Sequence, residues 1–342
     1  MSDTIDGNNG ILGIHHITLV CENASRTARF YVETLGLQFV KKTVNFDRPS
    51  TYHLYFGNDI GSPGTLVTFF EWPDAAPGRL GAGTTHHLAL TVDSVDALLK
   101  WKARLQHLRR VVAGPHDNGA YASLIFTDPD GVILEVTTAG PGLASDAPQS
   151  DLRKWLDQTW PEPVSAITPD MAIRGIHHVS PISGDMERTA TFYTGVLGIP
   201  CVSTMETHEG VRRSFFSPRG GAPGTLITYE EMPRDTPIPR GSIGHGVTHH
   251  VAFEVGSNTA QEWWREHLLA QGLIVTPVID RKYFRSIYFE DPDGLILEIA
   301  TSGPGFLVDQ SPDELGVALA LPEWLESQRR RIESDLEPID LA

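Results

Sequence analysis

The chain has 342 residues, 40% of them apolar, which suffices for one or two sizeable cores. A formal net charge of −16 argues against a nucleic-acid backbone or an anionic membrane as a partner, while a small molecule stays open because a local pocket can differ in sign from the whole. There is no run of about 18 apolar residues, the start MSDTIDGNNG lacks the basic and apolar regions of a signal peptide, and Cys21 and Cys201 give no disulfide framework, so a cytoplasmic protein is expected.

In chain order, the first strand is predicted at GIHHITLV from Gly13. A helix over Arg26 to Leu35 follows, with Ala28, Tyr31, Val32 and Leu35 at helical spacing and Gly36 as its stop. TYHLYFG and GTLVTFF then read as strands around a Pro-Gly turn. A second His-His strand, THHLALTV from Thr85, leads to a helix over Val95 to Leu105 with Leu98, Leu99 and Leu105 on one face. ASLIFTD, an Asp-Pro-Asp-Gly turn and GVILEV, which carries Glu135, complete that stretch.

The pattern then starts again. Shifted by about 160 residues, GIHHITLVCENASRTARFYVETLGL falls on GIHHVSPISGDMERTATFYTGVLGI, GSPGTLVTFFEWP on GAPGTLITYEEMP, and DPDGVILEVTTAGPG on DPDGLILEIATSGPG. The second copy has its own THH strand from Thr248 and its own glutamate, Glu298. The expected architecture is α+β, a tandem duplication of four βαβββ modules at 11–73, 84–138, 173–233 and 247–302. The halves are 1–140 and 173–302, joined by a linker at 141–172. A tail at 303–342 carries a predicted helix in LPEWLESQRRRIESDL, whose arginines read as a solvated face.

Alternation on strands lets only one histidine of each pair face the interior. Val251, Phe253 and Val255 share a face with His249, whereas Ala252 and Glu254 share one with His250. Ile17 and Leu19 accompany His15, and Thr18 accompanies His16. The inward set is therefore His16, His87, His178 and His250, and the apolar flanks of Glu135 and Glu298 turn those carboxylates inward too. Alternation sends His15 and His249 toward the packed side. A lone histidine at a strand start is more often an ordinary core residue. A glutamate inside LILEIA is harder to explain that way, because an unpaired buried carboxylate costs several kcal/mol and calls for a cation or strong donors. Histidines and one glutamate on facing strands suit a metal site with open positions.

Over nearly its whole length the chain resembles the vicinal oxygen chelate superfamily, shared by glyoxalases, extradiol dioxygenases and antibiotic-resistance binding proteins. The resemblance implies that the modules form two open mixed β-barrels around a divalent metal, without settling function. Glyoxalase I-type sites take a glutamate from the last strand of both paired modules. Here GTLVTFF and GTLITYE place Thr68 and Thr228 there, with Glu71 or Glu231 competing if the alignment slips. As aligned, each barrel offers two histidines and one carboxylate, the facial triad of non-heme Fe(II) oxygenases, which Mn(II) also suits.

The stretches VKKTVNFDRPSTYHLYFGNDIGSPGTLVTFFEWP and DRKYFRSIYFEDPDGLILEIATSGPGF are similar to hydroquinone-cleaving ring dioxygenases of that superfamily. The similarity implies metal ligands His16, His250 and Glu298, and makes His15 and His249 residues of the pocket. It implies Tyr288 as a proton donor and acceptor, Arg281 as positive charge near developing oxyanions, and an aromatic diol and O₂ as partners. Relatives mostly lose a second constellation, whereas this chain retains His87, Glu135 and His178 as a second or vestigial site, with Ile125 and Asn118 standing where Tyr288 and Arg281 would be. If the modules pair in chain order instead, the sets become His16/His87/Glu135 and His178/His250/Glu298. Two alternatives stand beside this reading: a glyoxalase-like lyase or isomerase using Zn or Ni, and a metal-free barrel that sequesters an aromatic drug. Association into a homo-oligomer is compatible with all three.

Overall fold

The computed structural model describes residues 9–118, 121–138, 157–206, 212–231 and 237–341; much of the expected linker, 141–156, lies outside them. The module helices begin alike. Asn23, Ser94, Asp185 and Ser257 each accept a hydrogen bond from the backbone N–H three residues on, satisfying a donor that the first helical turn leaves unpaired. The first predicted helix is an α-helical segment, Ala24–Arg29, that runs on into a π-helical turn, Phe30–Thr34. Gly36, at φ +71°, ends it in the left-handed region. Helix Val95–His107 buries Leu98, Leu99 and Leu105, as its spacing predicts, together with Trp101.

The strands form two eight-stranded mixed sheets. The first contains β1 (Gly13–Cys21), β2 (Gln38–Asn45), β3 (Arg48–Gly57), β4 (Leu66–Glu71), β13 (Thr248–Val255), β14 (Ile279–Asp280), β15 (Arg285–Glu290) and β16 (Ile296–Thr301). Their order is β14-β15-β16-β13-β1-β4-β3-β2. The second contains β5 (Thr85–Val92), β6 (Ala113–Asp117), β7 (Ala122–Thr127), β8 (Ile133–Thr138), β9 (Gly175–Pro181), β10 (Cys201–Glu206), β11 (Arg212–Phe216) and β12 (Leu226–Glu231). Their order is β10-β11-β12-β9-β5-β8-β7-β6.

Antiparallel pairing of β1 with β13 joins the first module to the fourth, and β5 with β9 joins the second to the third. The modules therefore do not pair in chain order. The chain divides accordingly into two compact units. Unit 1 holds the chain up to Arg79, Ser242–Glu290 and Leu295 onward; unit 2 holds Leu80–Gly241 with Asp291–Gly294.

In unit 1 the helix Asn258–Ala270 anchors the strands that matter for the site. Its buried Gln261 donates from Nε2 to the carbonyls of Arg285 (2.6 Å) and Ile299 (2.8 Å), fixing β15 against β16. The tail holds two short helices, Glu323–Glu326 and Arg329–Asp335, where the sequence predicts one. Its arginines are solvated as expected, with Arg329 bonded to Glu326 and Glu333. The tail is pinned by Lys41, fully buried, whose Nζ donates to Asp309 (2.8 Å) and to the Phe306 carbonyl (3.3 Å). Among the described residues, no helix is long and apolar enough to cross a membrane.

Candidate metal centres and the pocket of unit 1

Strand alternation fails at one residue in each His-His pair, and the failure builds the site. Between β1 and β13 the register runs Ile14↔Phe253, then His16↔Ala252, so His15 is an extra residue; Thr18↔His250 followed by Leu19↔Thr248 makes His249 extra as well. The β5–β9 pair repeats this at His86 and His177. A bulge re-aims the side chain it carries. The carbonyls of His15 and His177 accept hydrogen bonds from Gly64 (2.8 Å) and Gly224 (2.9 Å), turn glycines held at φ +82° and +81°. His15 and His249 thus do not follow the packed face that alternation assigns them. Each reaches its neighbour through Nδ1: His15–His16 at 2.9 Å, His86–His87 at 2.9 Å, His177–His178 at 2.8 Å and His249–His250 at 2.8 Å.

Burial first, then the neighbouring His16 or His250, lowers His15 and His249 to about 3, so both are neutral at ordinary pH. A neutral imidazole accepts at one nitrogen and donates at the other. Bound to a metal through Nε2, His16 and His250 would carry their proton on Nδ1 and donate it to His15 and His249.

In unit 1 those Nε2 atoms lie 3.2 Å apart, and Glu298 Oε2 is 3.4 Å from His16 Nε2 and 3.0 Å from His250 Nε2. Donors about 2.1 Å from one ion on an octahedral face stand roughly 3 Å apart. Ser286 Oγ donates to Glu298 Oε1 (2.5 Å), while Oε2 is fully buried and accepts no hydrogen bond. A buried carboxylate oxygen facing two imidazole nitrogens with nothing donated to it fits a cation between the three. Thr68, where a second carboxylate would stand in a four-ligand site, is bonded to Thr18 (2.7 Å). Glu71 lies elsewhere, accepting from the N–H of Ala24 at the start of a helix (2.8 Å).

A pocket opens in front of this triad, lined by Asn45, Phe46, His53, Tyr55, Phe70, Arg281, Phe284 and Tyr288 together with His16 and His250. Tyr288 and Arg281 are thus both in it. Arg281 Nε donates to Tyr288 Oη (3.2 Å), and Arg281 Nη1 pairs with Asp47 (3.3 Å). Burial pushes the Tyr288 hydroxyl up, with Glu298 adding to the effect, so it stays protonated. His15 and His249 stand behind the ligand rings: His15 packs on Phe284, and His249 on Phe70 and Trp72. Sequence reasoning did not single out His53, Tyr55, Phe70 or Phe284. His53 and Tyr55 lie two apart on β3, hence on one face, and that spacing was the one signal the sequence offered; the register of Tyr55 with Thr68 appears only in the fold.

Unit 2 brings together His87, His178 and Glu135. The imidazole Nε2 atoms are 3.0 Å apart, and Glu135 Oε2 is 3.5 Å from His87 and 3.3 Å from His178. Glu135 Oε2 is also buried without a hydrogen bond, and burial raises this carboxyl to about 7. Thr228 is buried on β12, and Glu231 is bonded to Ser214 (2.5 Å) rather than to the triad. Each unit therefore has two histidines and one glutamate.

Two curled mixed sheets of paired βαβββ modules, each with a buried triad, define the class. The model of the Glyoxalase/Bleomycin resistance protein/Dioxygenase superfamily matches residues 13–136 and 175–299, and the chain belongs to that superfamily. It is 33% identical over 328 residues, 96% of this chain and 98% of the other, to a Bacillus subtilis (strain 168) protein named "Putative ring-cleaving dioxygenase MhqA". It is 30% identical over 324 residues, 92% of each chain, to the chlorohydroquinone/hydroquinone 1,2-dioxygenase of Sphingobium indicum. Among solved structures, one described as a "putative dioxygenase" from Bacillus subtilis subsp. subtilis str. 168 superposes with a TM-score of 0.81 at 33% identity, covering 97% of this chain and 99% of that one.

Proposed function

We propose that unit 1 is the active site of an Fe(II)-dependent dioxygenase that opens the ring of a hydroquinone-type aromatic diol with O₂, with His16, His250 and Glu298 as the metal ligands. The observation that carries this reading is the buried triad facing an aromatic-lined pocket that also holds a protonated tyrosine and an arginine. When bound, Fe(II) would supply Lewis acidity toward a phenol oxygen and a path for electrons from the ring to O₂. Mn(II) suits the same donors. Full-length similarity to a chlorohydroquinone/hydroquinone 1,2-dioxygenase supports the substrate class.

The chain's own residues then have distinct tasks. Phe70, Phe284 and Tyr55 give the diol ring apolar and edge-on contacts and keep water out. Arg281, a donor only, leaves the Tyr288 hydroxyl as acceptor in their bond, so the tyrosine proton is available to an oxygen of the bound diol or its product. The Arg281 guanidinium places positive charge beside that oxygen. His53 is neutral because burial, then His250 and His16, lower it well below its usual value. It links Tyr55 (3.0 Å) to Thr68 (3.2 Å) and fixes the opposite wall. His15 and His249 hold the ligand tautomers. Neither Cys21 nor Cys201 is in a disulfide, which supports a reducing, cytoplasmic setting.

Oxygen uptake by anaerobically Fe(II)-loaded protein tests this, with hydroquinone as substrate and catechol and a glutathione hemithioacetal as controls. The expected result is rapid uptake with hydroquinone that disappears in His250→Ala. Metal-loaded protein that consumes no oxygen with any aromatic diol, or that turns over the hemithioacetal instead, would contradict it.

A further inference from the structure

Unit 2 holds the same donor set as unit 1 behind a different front. By strand register, Arg213 on β11 occupies the place of His53, and Glu230 on β12 that of Phe70. Ile125, in register with Glu135, replaces Tyr288, which is in register with Glu298. Counting back from those positions, Tyr121 replaces Phe284 and Asn118 replaces Arg281. Tyr121 packs on His177 and His178 at 4.8 and 5.6 Å between ring centroids, much as Phe284 packs on His15 and His16 at 4.9 and 5.2 Å.

The replacements close on one another. The buried Arg213 pairs through Nη2 with Glu230 and donates through Nη1 to Tyr121 Oη (3.0 Å) and to Asn118 Oδ1 (3.4 Å). In unit 1 the matching residues, His53, Phe284 and Arg281, line the pocket in front of the triad without bonding one another. In unit 2 the guanidinium bridges those positions. Behind it, the triad keeps what a cation needs: two histidines each held at Nδ1 by a neighbouring histidine, with their Nε2 atoms 3.0 Å apart, and a buried Glu135 Oε2 to which nothing donates. Ser123 bonds Glu135 as Ser286 bonds Glu298, each twelve residues before its glutamate. A triad that had lost its ion would be under no pressure to leave a carboxylate oxygen buried and unpaired.

We infer that unit 2 is a second resident metal site: His87, His178 and Glu135 hold a divalent transition cation, and the Arg213–Tyr121–Glu230 bridge screens it from an aromatic diol. The ion cross-links β5, β8 and β9, so its role is structural. The inference stands on unit 2's own geometry, and a failure of ring cleavage in unit 1 would leave it untouched.

Metal counting tests it on the full chain. Apoprotein is incubated with excess Co(II), desalted and assayed for cobalt per chain, with thermal unfolding followed in parallel. The wild type should retain two ions, Glu135→Gln and Glu298→Gln one each, and the double variant none. Co(II) should still raise the melting temperature of Glu298→Gln, whose remaining ion lies in unit 2. The wild-type count needs no variant to fold. One ion in the wild type, or two retained by a folded Glu135→Gln, would overturn the proposal.

Discussion

Unit 1 and unit 2 carry the same three donors at nearly the same separations, 3.0–3.4 Å in one and 3.0–3.5 Å in the other, and differ in what stands in front of them. In unit 1 the front is a pocket of aromatic rings with Tyr288 and Arg281. In unit 2 it is a hydrogen-bonded bridge through Arg213. The metal-binding part of this fold is set by strand geometry, since bulged His-His pairs recur in all four modules. In the proposed reading, chemistry is set by residues on β3, β4, β15 and the turn before β15, the positions at which the two units differ. A triad alone therefore marks a place where a metal can sit; the walls decide whether a substrate can join it.

Variants sharpen the contrast. The largest effect is expected at Tyr288. Tyr288→Phe keeps the ring and its packing on His250 but removes the proton, and should lower turnover by about 10²–10⁴-fold with metal content unchanged. Steady-state kinetics beside a metal assay checks this; undiminished turnover would remove Tyr288 from the chemistry. A smaller effect is expected behind the ligands. Ser286→Ala frees Glu298 Oε1 and should weaken the unit 1 metal by about 10–100-fold. Ser123→Ala should do the same to unit 2 alone, since its hydroxyl bonds Glu135. Competition with a chelator reads both, and equal weakening of both ions by either variant would break the assignment of one serine to one site.

Much of this was legible in the sequence. Repetition exposed four modules, and alternation together with apolar flanks picked out the six residues that form the two triads. What stayed hidden depends on contacts distant in the chain. The two halves carry nearly the same pattern, so nothing local told module one to pair with module four; cross-strand partners such as Ile17↔Val251 decide that. Bulges are likewise a property of two strands together, which is why alternation misplaced His15 and His249. His53 looked like one polar residue in an alternating strand, and its meaning came only with the facing Thr68 and Tyr55. Arg213 was hidden for the same reason: its partners Tyr121 and Asn118 lie over ninety residues away by chain order.

The most direct test of the account is isotopic. Fe(II)-loaded protein is given hydroquinone under ¹⁸O₂, and the product is weighed by mass spectrometry for wild type and for Glu298→Gln. The account predicts a ring-opened product carrying both labelled atoms from the wild type and none from the variant. A product without label, or one formed equally well by Glu298→Gln, would contradict ring cleavage by dioxygen at the unit 1 triad.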